Sequence, residues 1–132
     1  MRALSVRPPW AWAIANANKK IENRSWRTSY RGPLVIHASK AFSRSEMAEL
    51  ERILGADLEP ALFTRGAFVA VAELVDVVKA DTIKPSPWLC GPYAWLLENV
   101  RPLPEAILAR GRLGLWRPTQ AQLRAINLLV AT

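Results

Sequence analysis

Apolar and polar residues alternate from Ala3 to Arg7 with the two-residue period of a strand, and the Pro8-Pro9 pair ends that run. A helix is expected from Pro9 to about Ala17. Proline near a helix start presets its dihedral where the missing amide costs nothing, and Trp10, Ala13, Ile14 and Ala17 then share one face. Asn16 and Asn18 tolerate left-handed backbone and are expected to end it. Alternation returns over Lys20 to Trp26, with Ile21, Asn23 and Ser25 on one side and Glu22, Arg24 and Trp26 on the other. Tyr30-Arg31-Gly32-Pro33 reads as a turn into Leu34-Val35-Ile36-His37-Ala38, a β-branched run expected near the centre of a sheet.

Ser43 or Ser45 can cap a helix running to Leu54, with Glu46 offering a partial capping box and Gly55 closing it. Gly66 to Val78 has the length and β-branching of a long strand. Residues from Lys79 to Gly91 read as an irregular loop. Two strands are expected after it, Tyr93 to Val100 and Gly111 to Trp116, with Pro102-Leu103-Pro104 as a turn region between them. Thr119 caps a last helix through about Leu129, whose apolar stripe is Leu123, Ile126, Leu129 and Val130. Several short strands with interspersed helices, in no regular βαβ alternation, predict an α+β chain built as a small mixed β-barrel with flanking helices.

At 132 residues the chain is expected to form one domain, 1–132, able to bury a core without metals or disulfides. The longest apolar run, Ala67 to Ala72, falls far short of the roughly 20 residues that span a bilayer, so no membrane association is expected. The first residues carry no apolar stretch with a cleavage site, so no signal peptide is expected either. Cys90 is the only cysteine, which excludes an internal disulfide, fits a reducing compartment and gives a cytoplasmic expectation.

The formal charge is +7, which favours polyanionic partners. Residues 1–45 hold nine Lys or Arg against Glu22 alone, so folding is expected to gather positive charge on one side. A single histidine, His37, and a single cysteine cannot build a zinc site, and no Gly-rich phosphate loop or nucleophile elbow is present; no metal and no cofactor are expected. Six tryptophans could offer flat surfaces to bases. Trp10, Trp95 and Trp116 are expected mainly in the core, and Trp12, Trp26 and Trp88 at a cleft or its rim. Glu22 and Arg24 stand two apart on one strand face with Lys19 arriving from the preceding turn, an ionic cluster beside Trp26 that can hold Lys and Arg ready for phosphate or simply staple the helix to the barrel.

The run from Leu4 through Arg7-Pro8-Pro9-Trp10, then Lys19-Lys20-Ile21-Glu22-Asn23-Arg24, then Tyr30-Arg31-Gly32-Pro33-Leu34-Val35-Ile36-His37-Ala38-Ser39-Lys40, resembles the ASCH domain of the PUA-like superfamily. Its motif G-x-K-x-x-E-x-R aligns with Ala17, Lys19, Glu22 and Arg24. Gly91-Pro92-Tyr93-Ala94-Trp95 and Gly111 to Trp116 resemble its closing strands. Ala17 replaces the usual Gly, leaving the turn to Asn16 or Asn18, and Pro8 stands where Gln is frequent.

The resemblance implies an RNA-binding or modified-nucleotide-binding cleft beside the barrel. Phosphate contacts would come from Arg7, Arg27, Arg31, Lys40 and Arg44, and a pocket near Lys19, Glu22, Arg24 and Trp26 would select the base, with Trp12 and Ser39 also facing the ligand. A second implication is a metal-free hydrolase acting on RNA or on acylated nucleosides, with Lys19 as base and Glu22 as its partner. Glu22 stands where the amidohydrolase relatives carry a Thr nucleophile, and their later acidic partner would be Glu73 or Asp76 here. A third is a protein-interaction module, as in transcriptional cointegrators, ranked last for a chain of one domain and with its protein partner unspecified.

Overall fold

The structure, a computed structural model, describes residues 1–131; Thr132, the last residue of the expected domain, lies outside the described residues. The chain runs β1 (Arg2–Val6), α1 (Pro8–Asn16), β2 (Ile21–Arg24), β3 (Gly32–Ala38), α2 (Arg44–Leu54), β4 (Ala67–Lys79), β5 (Tyr93–Leu108), β6 (Leu115–Trp116) and α3 (Gln120–Val130). Single 3-10 turns lie at Pro60–Leu62 and Ala80–Thr82. The six strands form one curled sheet in the order β2-β5-β4-β3-β1-β6, an α+β half-barrel of the small mixed kind the patterning predicts. Among the described residues no helix is long and apolar enough to cross a membrane.

β1 and β3 pair in parallel, Leu4 opposite Ile36 and Ser5 opposite His37, while the other ladders are antiparallel. Parallel neighbours need a crossover, supplied by α1 and β2. Helix α1 starts on Pro8 and Pro9, with Arg7 as its extended N-cap. It ends where Asn18 takes a left-handed φ of 59°, so Asn18 assumes the turn left open by Ala17. Leu4, Ile14, Leu34, Ile36, Leu74 and Trp95 make the main core under α1. A second cluster, Phe68, Leu103, Trp116 and Ile126, seats α3 on the opposite face. Ser43 caps α2 by accepting from Glu46 N at 3.2 Å, and Gly55 closes it at φ 66°. At α3 the Thr119–Gln122 capping box is complete.

The structure departs from expectation at Pro102-Leu103-Pro104, which is not a turn but part of the 16-residue β5. Backbone register slips between Phe68 and Ala70, where Pro104 falls, and Pro102, opposite Ala70, is the last paired residue before that break. On its other flank β5 meets β2 only over Tyr93 to Leu96, so no second ladder asks for the amides that prolines lack. The final strand is also shorter than expected, two residues rather than six.

His37 is buried against Phe68 and Trp116. Its Nε2 donates to the Ala109 carbonyl at 2.7 Å, which leaves Nδ1 to accept from Ser5 Oγ at 3.1 Å. Burial pushes its pKa below the usual 6.5, outweighing the Ala109 bond that holds it up. The unfolded chain therefore binds a proton first as pH falls. Stability from this group is complete above about pH 6.5 and is lost as pH drops toward the folded value. Thermal melts at pH 7.5 and 5.5 are expected to show a larger decline for the wild type than for His37→Gln; equal declines would remove His37 as the cause.

Candidate functional site

Where β1 and β3 end and β2 begins, the chain surrounds a cavity of about 480 Å³. Its floor is an ionic triad. Lys19 Nζ donates to the Ile21 carbonyl and to Glu22 Oε1 at 3.3 Å, and Arg24 Nε donates to Glu22 Oε2 at 3.0 Å. Arg24 Nη2 also donates to the Ser5 carbonyl at 2.7 Å, tying β2 to β1 across the cavity. Lys19 is 2% and Glu22 6% exposed, so this is a buried pair whose two charges depend on each other.

The roof comes from α2. Glu46 does not complete a capping box. Its carboxylate instead accepts from Arg7 Nη1 at 2.9 Å and from Trp10 Nε1 at 3.0 Å, joining both ends of the β1–α1 entry to the second helix. Glu49 also lines the cavity; the hydrogen bond from Arg52 holds its carboxyl below the usual carboxylate range.

One wall is the 85–91 loop, and Asn23 holds it. Asn23 Nδ2 donates to the Trp88 carbonyl at 2.8 Å, while its Oδ1 accepts from Cys90 N at 2.9 Å and Gly91 N at 3.1 Å. Gly91 lets the loop come this close, because a Cβ there would lie 2.8 Å from Asn23 Cβ. Trp88 is thereby set into the cavity wall, with Trp10 as a second aromatic in the lining.

Of the residues expected at the site, Arg7, Lys19, Glu22, Arg24 and Ser39 line this cavity. Lys40 lines an adjoining groove, which Ser39 also borders. Five others lie elsewhere, among them Arg44, exposed at the start of α2 and outside both linings. Trp12 packs edge-on against Phe63 at 5.7 Å and Trp26 against Trp95 at 4.8 Å. Arg27 lies over Tyr93, 6.0 Å from the ring centroid, and Arg31 pairs with Asp76 at 3.3 Å. Trp10, expected in the core, is only half-buried and joins the lining, because its indole N–H reaches Glu46 rather than a core acceptor. Asn23 was not singled out from the sequence: its alternation pointed it away from the Glu22 face, and its loop partners lie 65 to 68 residues downstream. Among the described residues no group of three or more His, Cys, Asp or Glu side chains gathers as metal ligands would.

The family model for the ASCH domain matches residues 4–104, the span that contains the triad, Trp10, Asn23 and the Trp88 loop. The chain belongs to the ASCH domain family. Activating signal cointegrator 1 of Homo sapiens is 30% identical over 125 residues, which is 86% of this chain and 22% of that protein. The Mus musculus protein of the same name is 38% identical over 79 residues, 55% of this chain and 14% of its own length. This ASCH chain thus spans about a fifth or less of the curated relatives it matches.

Removing one charge from a buried pair strands the other in a low-dielectric site, which costs about 3–5 kcal/mol. Glu22→Gln is expected to lower unfolding free energy by about that amount in urea titrations. Disrupting the more exposed Arg7–Glu46 pair by Arg7→Gln should cost about 1 kcal/mol or less. Equal small losses would mean that the triad does not organise the fold.

Proposed function

We propose that this ASCH domain binds nucleic acid, RNA first among the classes, by admitting one base to the cavity above the triad. The observation that carries the reading is the balance of charge in that lining. Arg7, Lys19 and Arg24 face Glu22, Glu46 and Glu49, and the three cations are already bonded to Glu22 and Glu46. Cations so engaged are poor phosphate clamps, in contrast to the role the sequence suggests for them. A cavity with cancelled charge, two indoles and several fixed donors and acceptors suits a neutral, planar, hydrogen-bonding ligand. A nucleobase has those properties, and 480 Å³ falls within the ordinary range of about 300–1,000 Å³ for ligand sites.

The polar edge available to such a base comes from Ser5, Ser39, Asn23 and the remaining lone pairs of Glu22 and Glu46. These groups are held on strand ends or by bonds within the protein, so little ordering is left for binding to impose. A second reading, metal-free hydrolysis of the bound nucleotide, rests on Lys19 and Glu22 lying in contact at the cavity wall. In it Lys19 must first give up a proton; the neutral amine can keep donating to Ile21 and Glu22 through its two N–H groups while its lone pair takes the substrate's proton.

The test is binding of single-stranded RNA oligonucleotides, and of modified nucleosides, without metal, followed by mass spectrometry of retained ligand and of products. Trp88→Ala is expected to weaken retention by about 1–3 kcal/mol, the range for losing one stacking surface. Unchanged affinity in both Trp88→Ala and Trp10→Phe would exclude the cavity as the base site. New products that vanish in Lys19→Arg would establish the hydrolytic reading over simple binding.

A further inference from the structure

Beside the base cavity lies a larger groove of about 960 Å³, and its charge is of the opposite character. Lys40, Arg65, Arg110 and Arg112 line it, and among the described residues no carboxylate does. None of these four cations takes part in an ion pair among the described residues. All four are exposed. Arg65 is steadied instead by the face of Phe42, 4.4 Å from the ring centroid.

The fold brings these side chains together by clipping three strand ends. Gly66 N donates to the Ala38 carbonyl at 2.7 Å, and Ala109 N donates to the Gly66 carbonyl at 3.0 Å. The end of β3, which leads to Lys40, the start of β4, which follows Arg65, and the end of β5, which leads to Arg110 and Arg112, therefore meet at one end of the sheet's interior strands. Gly66 has φ 65°, and a Cβ there would press within 3.2 Å of the Lys40 stem, so glycine both makes the clip and leaves the lysine its path. His37 in the groove lining stays neutral at physiological pH, since burial lowers its pKa. The groove and the base cavity share Ser5 and Ser39 as a common wall.

We propose that this groove is the backbone track for a single-stranded polynucleotide whose base occupies the neighbouring cavity. The proposal rests on the base-binding reading above and adds that the ligand is a strand, not a free nucleoside. Uncompensated cations on an open surface release counterions when they meet phosphates, which gives affinity without sequence. A base can enter a cavity beside such a track only when it is not held in a duplex. One compartment then takes the neutral part of a nucleotide and the next takes the charged part of its neighbours.

The experiment compares the intact chain with Arg65→Gln/Arg110→Gln/Arg112→Gln and with the matching triple lysine variant. Fluorescence anisotropy follows a labelled 12-nucleotide RNA strand, the same sequence as DNA, its blunt duplex, and a poly-glutamate of equal charge, each over a range of salt. The glutamine variant is expected to lose about tenfold or more in strand affinity near 0.1 M salt, and its salt slope to flatten by about 2, at about 0.7 per phosphate contact. The lysine variant should keep the slope. RNA and DNA strands that differ in affinity identify which sugar the site prefers; equal affinities mean that only the shared backbone is read, and either result fits the track. An unchanged affinity and slope in the glutamine variant, with Trp88→Ala still weakening binding, overturns the track and leaves the base cavity standing. Duplex or poly-glutamate binding as tight as the strand, with the same dependence on the three arginines, also overturns it. Failure of the intact chain to bind any strand overturns the base-binding reading itself.

Discussion

Taking Lys19 and Glu22 out of water carries a desolvation cost that only their mutual contacts offset, and those contacts dictate how the N-terminal elements meet. Glu22 must accept from Lys19 on one oxygen and from Arg24 on the other. Lys19 must stand just beyond α1, and Arg24 must turn toward the Ser5 carbonyl on β1. The left-handed turn at Asn18 delivers the lysine, and the two-residue period of β2 sets Glu22 and Arg24 on the same side. Apolar packing alone would tolerate a small rotation of β2 against β1. Three charged groups with directional bonds do not.

The same bonds underlie the base-binding reading proposed for the cavity. An arginine committed to a carboxylate and a carbonyl has few donors left for an oxyanion, and a buried lysine held by a carboxylate and a carbonyl has one N–H left. Structural use and phosphate binding compete for the same cations, and the proposed reading assigns these three to structure. The groove proposed for a polyanion draws its cations from elsewhere: Arg65, Arg110 and Arg112 lie outside the first 45 residues, and only Lys40 belongs to the basic N-terminal third.

Most of the fold was legible because its signals are local. Period-two alternation, proline at the start of α1, Ser43 and Thr119 caps and glycine after α2 each act within a few residues, and each appears where the pattern set it. The exception at Pro102-Leu103-Pro104 arises because a proline forbids only a ladder that needs its amide, and ladder register is a property of β4 and β5 together. The site divides along the same line. Lys19, Glu22 and Arg24 are close in sequence and were readable as one cluster. Trp10 stands in the wall rather than the core because of a distant partner, Glu46, while Trp26 and Trp12 stay half-buried but meet Trp95 and Phe63 instead of the triad cavity.

Asn23 likewise takes its role from distant partners. It alternates away from the triad face, yet it holds three atoms of the loop that bears Trp88. β2 therefore works on both sides: one face fixes the ionic floor, and the other fixes the aromatic wall through Gly91, the glycine that admits the contact. Floor and wall keep their relative position because one four-residue strand bears both. That strand is itself held by pairing with Tyr93 to Leu96 of β5, whose far end carries Arg110 and Arg112 into the groove. A shift of β5 along β4 would disturb the cavity at one end and the groove at the other. The register breaks that absorb Asn99 and Pro104 sit between the two.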